Sequence, residues 1–257
     1  EEGRTLTVEV GSHGNRIVGN VVAGTVSLID AGSSYNSIVG NRIGVGADGR
    51  PFAAGGGIGV DEPFNRIGGT RPGEGNLVSG MDISAVNTIV LGNRLGVDET
   101  GARIGDGSIR TTRPRTIIGG RAASAGNILA TRGITLFSSD NLVIGNSLLE
   151  VELEDEIGVR VAAGVGNQVV ANRLATGIGT GVVVEAAAVS TLVIGNDFAD
   201  NHVHARDAGQ ATAWDDGRAG NYWSGFDAPD ADGDGILDQP REVLPNGLDG
   251  YPLVRVD

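Results

Sequence analysis

The sequence predicts an all-β protein folded as a parallel β-helix, a solenoid of about eight rungs closed by a C-terminal cap. Three observations support this prediction: a repeat of about 25 residues, two in-phase polar columns, and a composition rich in glycine and aliphatic residues. Glycine accounts for 44 of the 257 residues, whereas only 4% are aromatic. A core with so few large rings must be built from stacked aliphatic side chains.

The repeat consists of an asparagine, or a substitute, followed two residues later by isoleucine or valine. Its eight occurrences begin at Asn15, Asn36, Asn65, Asn87, Arg115, Asn141, Asn167 and Thr191. The intervals are 21, 29, 22, 28, 26, 26 and 24 residues. A near-constant period of this length is typical of a solenoid, in which each coil buries its apolar face against the next.

A second polar column follows five residues after the first. Its members are Asn20, Asn41, Thr70, Asn146, Asn172 and Asn196, with Asn93 displaced by one residue and Gly120 in the remaining place. Asparagine tolerates the left-handed backbone of tight corners, and its amide can both donate to and accept from the next asparagine. We therefore predict structural ladders; the alternative is a polar row that binds a ligand.

Short β-branched segments lie between the columns and end at glycine or polar turns. Examples are Gly57–Val60, Gly133–Leu136 and Gly181–Val184. Such segments are typical of strands of three to five residues rather than helices. Eight rungs spaced at roughly 4.8 Å would form a rod nearly 40 Å long.

An arginine directly follows a column asparagine in five rungs. These residues are Arg16, Arg42, Arg66, Arg94 and Arg173. We expect them to form a solvated outer row, and the alternative is a stripe that binds anions.

Charge and composition exclude several classes of function. The chain carries 32 acidic and 19 basic residues, a formal charge of −13, which disfavours binding to nucleic acid. It has no cysteine, so no disulfide forms, and no apolar run is long enough for a membrane-spanning helix. The sequence opens Glu1-Glu2-Gly3 without methionine, which suits a mature protein after removal of a signal peptide and equally a chain trimmed at its start.

The repeat stops near residue 213, which predicts a β-helix over 1–212 and a cap over 213–257. Half of the ten aromatic residues lie in this last segment: Trp214, Tyr222, Trp223, Phe226 and Tyr251. Bulky rings suit a cap that covers the final rung of a solenoid. The alternative is an aromatic platform on which sugar rings stack.

The same segment contains a run with the spacing of a calcium-binding loop. Asp230, Asp232, Asp234 and Asp238 occupy positions 1, 3, 5 and 9, with glycine at position 6. In such loops the carbonyl at position 7, here that of Ile236, supplies a further ligand. Position 12 is Arg241 rather than the glutamate of an EF-hand, so a dockerin-like or thrombospondin-repeat-like Ca²⁺ loop is expected, with a structural role.

These motifs together resemble the NosD-like family of right-handed parallel β-helices, whose repeats are of the CASH (carbohydrate-binding and sugar-hydrolase) type. The resemblance rests on the Asn-x-Ile-Val-x-Gly-Asn rungs and on the strings at 214–217, 220–224, 230–238 and 249–253. It implies an exported or surface-attached protein, and the family's namesake delivers copper to nitrous oxide reductase. This chain departs from the family at Gly225, Phe226 and Arg241, and its lack of cysteine and single methionine do not favour copper.

Two further groups of residues are weaker candidates for chemistry. His202 and His204 are two residues apart, so on a strand they would point the same way and could share a metal ion. In the acidic run, Glu150, Glu152 and Glu154 alternate outward at spacings of roughly 7 Å, which suits a solvated face, a cation site or inverting glycoside hydrolysis. With Arg160 nearby, this face is also where a lyase or epimerase would act.

Two classes of function follow. We prefer a calcium-stabilised, secreted or cell-surface module that binds polysaccharide or another surface component, or that associates with itself through its rod. The alternative is a polysaccharide lyase, hydrolase or epimerase on the lateral face, and periplasmic copper delivery is a third, less favoured reading.

Overall fold

The fold is seen in a computed structural model, which describes residues 5–52, 55–130, 132–149, 156–174 and 179–255. Within these ranges there are thirty short strands, numbered β1 to β30 along the chain, and one 3-10 turn at Ala123–Ala125. The strands that pair in parallel form a solenoid. Three sheets run along its length, and each coil contributes one strand to each sheet in turn. The predicted all-β parallel β-helix is therefore confirmed.

The first sheet has nine strands in register. They are β1 (Leu6–Val8), β4 (Val26–Leu28), β7 (Gly57–Val60), β10 (Gly80–Ile83), β13 (Ser108–Thr111), β16 (Gly133–Leu136), β19 (Ile157–Val161), β23 (Thr180–Val184) and β27 (Val203–Asp207). Alternate residues of each strand point inward, as in Val26, Ile58, Met81 and Ile109, which stack along the core.

The second sheet has eight strands. They are β2 (Arg16–Val18), β5 (Ser37–Val39), β8 (Arg66–Gly68), β11 (Ile89–Leu91), β14 (Ile117–Gly119), β17 (Leu142–Ile144), β21 (Gln168–Val170) and β25 (Leu192–Ile194). Its central residues, such as Ile38, Ile67 and Val143, are fully buried.

The third sheet again has nine strands. They are β3 (Val21–Val22), β6 (Arg42–Ile43), β9 (Leu77–Val78), β12 (Arg94–Leu95), β15 (Ile128–Ala130), β18 (Ser147–Leu149), β22 (Arg173–Leu174), β26 (Asp197–Phe198) and β28 (Tyr222–Trp223). Two small pairs complete the structure: β20 (Gly164–Val165) with β24 (Ala188–Val189), and the antiparallel β29 (Arg241–Val243) with β30 (Gly247–Asp249).

The solenoid therefore has about nine coils, one more than the repeat predicts. The extra coil is completed by β28, which pairs in parallel with β26 although its sequence, Tyr222-Trp223, lacks the Asn-x-Ile pattern. Aromatic side chains replace aliphatic ones there because the last coil has no following coil to cover it.

The second polar column forms a continuous asparagine ladder between the second and third sheets. Its members are Asn20, Asn41, Asn76, Asn93, Asn127, Asn146, Asn172, Asn196 and Asn221. In each step the Oδ1 atom accepts the Nδ2 amide of the preceding member at 2.8–3.1 Å. The structural reading of the column is thus supported, because the amides of this ladder bond to one another and to backbone carbonyls.

The ladder corrects two positions of the sequence analysis. Thr70 and Gly120 were expected in this column, but Asn76 and Asn127 occupy it. In both coils several additional residues form a loop before the asparagine, so counting five positions from the first column ends too early. Asn93, which the count places one position off, is in the ladder.

The first polar column is also shifted in two coils. The buried positions there are Thr88 and Thr116, whereas Asn87 and Arg115 precede them at the corner. Consequently Val90 and Ile118 point into the core. The expected inward residues, Ile89 and Ile117, are each 37% exposed. Asparagine at a left-handed corner looks the same in sequence as asparagine in a buried ladder, which explains the error at Asn87. In both coils two consecutive aliphatic residues, Ile89-Val90 and Ile117-Ile118, also fit the pattern in either register.

Candidate functional site

Two aromatic rings stack on each other at the corner between the first and second sheets. The ring centroids of Tyr35 and Phe64 are 5.2 Å apart and the rings are 5° from parallel. The two residues are 64% and 45% exposed, respectively. They occupy the same corner in consecutive coils, since each directly precedes a buried asparagine of the first column.

This corner has a left-handed backbone, which is unfavourable for bulky residues. The φ angles are 60° at Tyr35 and 61° at Phe64. In the other coils the position is held by Gly14, Asn87, Arg115, Asp140, Gly166, Ser190 and Ala211. Glycine, asparagine and aspartate tolerate this conformation, whereas other residues pay roughly 1–2 kcal/mol. Folding alone therefore does not call for aromatic rings here, and strained residues of this kind cluster at functional sites.

The surroundings of the aromatic pair are polar and partly open. In the first coil, a side chain added at Gly14, the corresponding corner position, would meet no atom within 4 Å, so the space around that position is open. On the other side the corner continues with Asn87, whose Oδ1 accepts the Nε hydrogen of Arg115 at 2.9 Å. Flat apolar faces bordered by amide and guanidinium groups can hold a ligand with one apolar face and a polar edge.

The tryptophans of the C-terminal segment do not offer such a surface. Trp214 is 1% exposed and Trp223 is 3% exposed. Trp223 stacks on Phe198 with centroids 4.3 Å apart, which closes the end of the apolar core. The faces of these two indoles are therefore not available to sugars, whereas Tyr251 of the same segment is 39% exposed.

Two buried carboxylates anchor these indoles. Oδ2 of Asp207 accepts Nε1 of Trp214, and Oδ2 of Asp249 accepts Nε1 of Trp223, both at 2.8 Å. Burial raises the pKa of Asp249, while hydrogen bonds from Asn221 and Trp223 act in the opposite direction. Asn221 ends the asparagine ladder and donates its backbone N–H to the same Asp249 oxygen, so the ladder and the cap are joined at this carboxylate.

The predicted calcium loop brings three of its carboxylates together. Oxygen atoms of Asp230, Asp232 and Asp234 lie within 4.8 Å of one another. Oδ2 of Asp238 instead accepts the backbone N–H of Ala231 at 2.9 Å, so this residue braces the loop in the present geometry. The backbone N–H of Ile236 bonds to Asp234. The loop is tied to the end of the chain, because Leu237 donates to the Pro252 carbonyl.

The two histidines differ in environment. His202 is exposed, whereas His204 is half-buried and its Nε2 lies 2.8 Å from the Ser224 carbonyl. The His204 ring packs near Phe198 and Trp223, and its Nδ1 has no hydrogen-bond partner. Burial lowers the pKa of His204. Within the described residues, neither histidine belongs to a group of three metal-ligating side chains.

The soft donors that would bind copper are scattered along the rod. The sequence has no cysteine, and its single methionine, Met81, is buried in the core in β10. His13 precedes β2 in the first coil, whereas His204 lies in β27 at the other end of the first sheet. Eight strand spacings separate the end strands of that sheet, or roughly 38 Å. Within the described residues, His13 and Met81 therefore lie in different coils from the His202 and His204 pair.

The acidic run falls outside the described residues, because Glu150, Glu152 and Glu154 all lie in 150–155. Arg160, the cation expected beside them, is in β19 on the outer face of the first sheet. Its guanidinium forms an ion pair with Glu185 of the next coil at 2.8 Å. Its positive charge is therefore already matched by a carboxylate.

The comparisons with known proteins agree with this architecture. The chain matches the family described as periplasmic copper-binding protein (NosD) over residues 74–228, well over half of its length. No curated protein matches it. None of the helices in the described ranges is long and apolar enough to cross a membrane. With its three-sheet parallel solenoid and a match that runs from the third coil into the cap, the chain belongs to the NosD family.

Proposed function

We propose that the chain is a non-catalytic β-helix module, secreted, surface-attached or periplasmic, that binds polysaccharide through the side of its rod. The observation that carries this proposal is the stacked pair of Tyr35 and Phe64, which is exposed at corners where the other coils mostly use small or polar residues. The membership in the NosD family supports a periplasmic or otherwise exported location.

A sugar ring fits the chemistry of this corner. A pyranose presents C–H groups on one face and hydroxyl groups around its edge, so it stacks on an aromatic face and bonds to polar neighbours. In the first coil the same corner is held by Gly14, where an added side chain would meet no atom within 4 Å. Asn87 and Arg115 continue the same corner along the rod with amide and guanidinium groups. A linear glycan lying along the corner would meet both kinds of surface.

Calcium completes this proposal as a structural ion. Asp230, Asp232 and Asp234 would hold Ca²⁺, since three carboxylates this close repel one another without a cation. The loop bonds to Pro252 and Val254 near the end of the chain. An ion there would fasten the cap, and no catalytic role is assigned to it.

The enzymatic alternative is less well supported. It depends on Glu150, Glu152 and Glu154, which lie outside the described residues, and on Arg160, which is paired with Glu185. Copper binding, which the family's description names, would require ligands in addition to the His and Met side chains of this chain.

The test is binding and turnover on a panel of neutral and acidic polysaccharides. We expect binding without product formation in the wild type, and loss of binding to neutral glycans in a Tyr35→Asn/Phe64→Asn double variant. Phe137→Ala is the matched control, because Phe137 is also an exposed ring but lies at the start of another loop beneath Arg110. Product formation, or unchanged binding in the double variant, would contradict the proposal.

A further inference from the structure

A concave surface lies at the corner between the second and third sheets, on the N-terminal half of the rod. It is a groove of about 600 Å³. Its floor is made largely of glycine backbone, including Gly40, Gly75 and Gly92. A side chain at Gly75 would come within 2.0 Å of the Gly92 carbonyl, so close packing of the coils keeps this floor free of side chains.

The groove gathers positive charge in a strongly acidic protein. Three arginines line it, Arg42, Arg71 and Arg94, against a single lining carboxylate, Glu99. Glu99 forms an ion pair with Arg42. In the part of the chain that the structure describes, no carboxylate lies within ion-pair distance of Arg71 or Arg94. Two arginine charges are therefore available to a ligand.

Two of these arginines are held in matching positions. The segment Gly-Asn-Arg-Ile/Leu-Gly-Val occurs at 40–45 and again at 92–97, each time followed by a short turn. Nη1 of Arg42 donates to the carbonyls of Gly46 and Ala47 at 3.3 Å, and Nη1 of Arg94 donates to the carbonyl of Asp98 at 3.2 Å. Each guanidinium is thus oriented before any ligand arrives, which reduces the entropy lost on binding.

The spacing of these guanidinium groups follows the solenoid. Arg42 and Arg94 are both in register with Leu77, one strand to either side of it. Their backbones are therefore two coils apart, or roughly 10 Å. A repeating polyanion presents its charges at regular intervals, so a periodic pair of arginines suits it better than it suits a single small anion.

The net charge of −13 does not prevent such binding. At physiological salt the field of exposed charges is screened over about 8 Å, so the local charge of the groove decides. Guanidinium groups bind carboxylates through two parallel hydrogen bonds, which are stronger than neutral ones.

The five arginines that follow a column asparagine in the sequence do not form a single row. Arg16 and Arg66 lie in the second sheet, whereas Arg42, Arg94 and Arg173 lie in the third.

We propose that this groove binds the carboxylates of an acidic, uronate-containing polysaccharide through Arg71 and Arg94, and through Arg42 once the ligand displaces Glu99. The proposal rests on the proposed function, since it takes a polysaccharide as the ligand. It adds a second site at a different corner from the aromatic pair and assigns that site a chemical class. Glu99 acts as an internal competitor for the ligand's carboxylate.

The test measures the dissociation constant of oligogalacturonate at about 0.15 M salt, with all variants at the same calcium concentration. Arg71→Gln and Arg94→Gln should each weaken binding roughly tenfold, the size expected for one charge-assisted contact. Glu99→Gln should tighten binding, because it frees Arg42; a folding defect would not produce this gain. Arg113→Gln, which alters an exposed arginine at the other corner, should leave binding unchanged.

The outcomes separate this inference from the proposed function. Unchanged binding of oligogalacturonate in Arg94→Gln and Glu99→Gln would contradict the proposal that the groove binds it. Equally tight binding of dextran sulfate to the wild type would also contradict it, because the site would then accept any polyanion. If neutral glycans bind through Tyr35 and Phe64 but oligogalacturonate does not bind, this inference fails and the proposed function stands. If no glycan binds, both fail.

Discussion

The indole N–H of Trp223 donates to Oδ2 of Asp249 at 2.8 Å inside the closed end of the solenoid. The same oxygen accepts the backbone N–H of Asn221 at 2.8 Å, and the Oδ1 atom accepts that of Tyr251. Asp249 is fully buried. A single carboxylate therefore satisfies donors from the ladder, from the aromatic cover and from the end of the chain.

Replacing this carboxylate should destabilise the protein. In Asp249→Asn one oxygen becomes an NH₂ group, which then faces an N–H donor instead of accepting from it. We expect a loss of about 1.5–3 kcal/mol in the free energy of unfolding, the range for hydrogen bonds to a charged group. For a chain of this length that lowers the melting temperature by roughly 5–10 °C. Asp227→Asn, at an exposed position in the same segment, is the control, and equal melting temperatures for the two variants would contradict the assignment.

His204 should make stability depend on pH. Burial lowers its pKa below the usual 6.5, and the nearby Arg241 acts in the same direction, whereas Asp200 and the Ser224 carbonyl oppose it. The unfolded state therefore binds a proton first as the pH falls. The stabilising contribution is complete above pH 6.5 and is lost as the pH falls toward the folded-state pKa.

A His204→Phe variant tests this pH dependence. Phenylalanine retains the ring against Phe198 and Trp223 but does not titrate. The difference in unfolding free energy between wild type and variant should shrink, or reverse in favour of the variant, as the pH is lowered from about 7.5 to 5. Urea unfolding at a series of pH values measures it. A difference that stays constant over this range would show that His204 does not titrate on unfolding.

Substitution of an asparagine in the buried ladder should lower the free energy of unfolding more than substitution of an asparagine at a corner. At Asn127, Nδ2 donates to the Val90 carbonyl and to Oδ1 of Asn146. Asn127→Asp replaces this donor by an oxygen that faces two acceptors, so we expect a loss of at least about 3 kcal/mol in unfolding free energy. Asn87→Asp is the matched control, because its Oδ1 only accepts from Arg115, and it should change stability little. Chemical denaturation of both variants gives the comparison.

The contrast between Asn127 and Asn87 also shows what the sequence could and could not predict. The period and the short β-branched segments were sufficient for a parallel solenoid, because every coil must bury the same kind of face. They were not sufficient to predict the exact register. The loop before Asn127 moves it away from the position that a count of five residues expects, and Asn87, at a corner, has the same sequence pattern as a ladder residue.

The candidate sites were harder to predict than the fold. The sequence singled out Asp230, Asp232 and Asp234, whose spacing within one loop brings them together. It did not single out Tyr35 and Phe64, because 29 residues separate them and only the coil register stacks their rings. A signal was present, since an aromatic residue precedes the column asparagine in both coils. Arg42 and Arg94 were noted, but their joint groove depends on loops that fold beside them.

Calcium should raise the stability of the cap. If Asp230, Asp232 and Asp234 hold the ion, a chelator should lower the melting temperature and Asp232→Asn should remove that response. Asp216→Asn is the control, because Asp216 also accepts backbone N–H groups in an exposed turn but is outside the cluster. A melting temperature that is the same with calcium and with chelator in the wild type would argue against the ion.

The strained corner allows binding to be separated from stability. Tyr35→Asn and Phe64→Asn each place at the left-handed position a residue that the chain already uses there at Asn87. The relief of backbone strain, roughly 1 kcal/mol or more, should offset the loss of ring stacking, worth about 0.5–1.5 kcal/mol. We therefore expect melting temperatures within a few degrees of the wild type together with loss of glycan binding. If the variants instead have much lower melting temperatures, the stacked rings stabilise the fold, and their position at this corner is explained without a ligand.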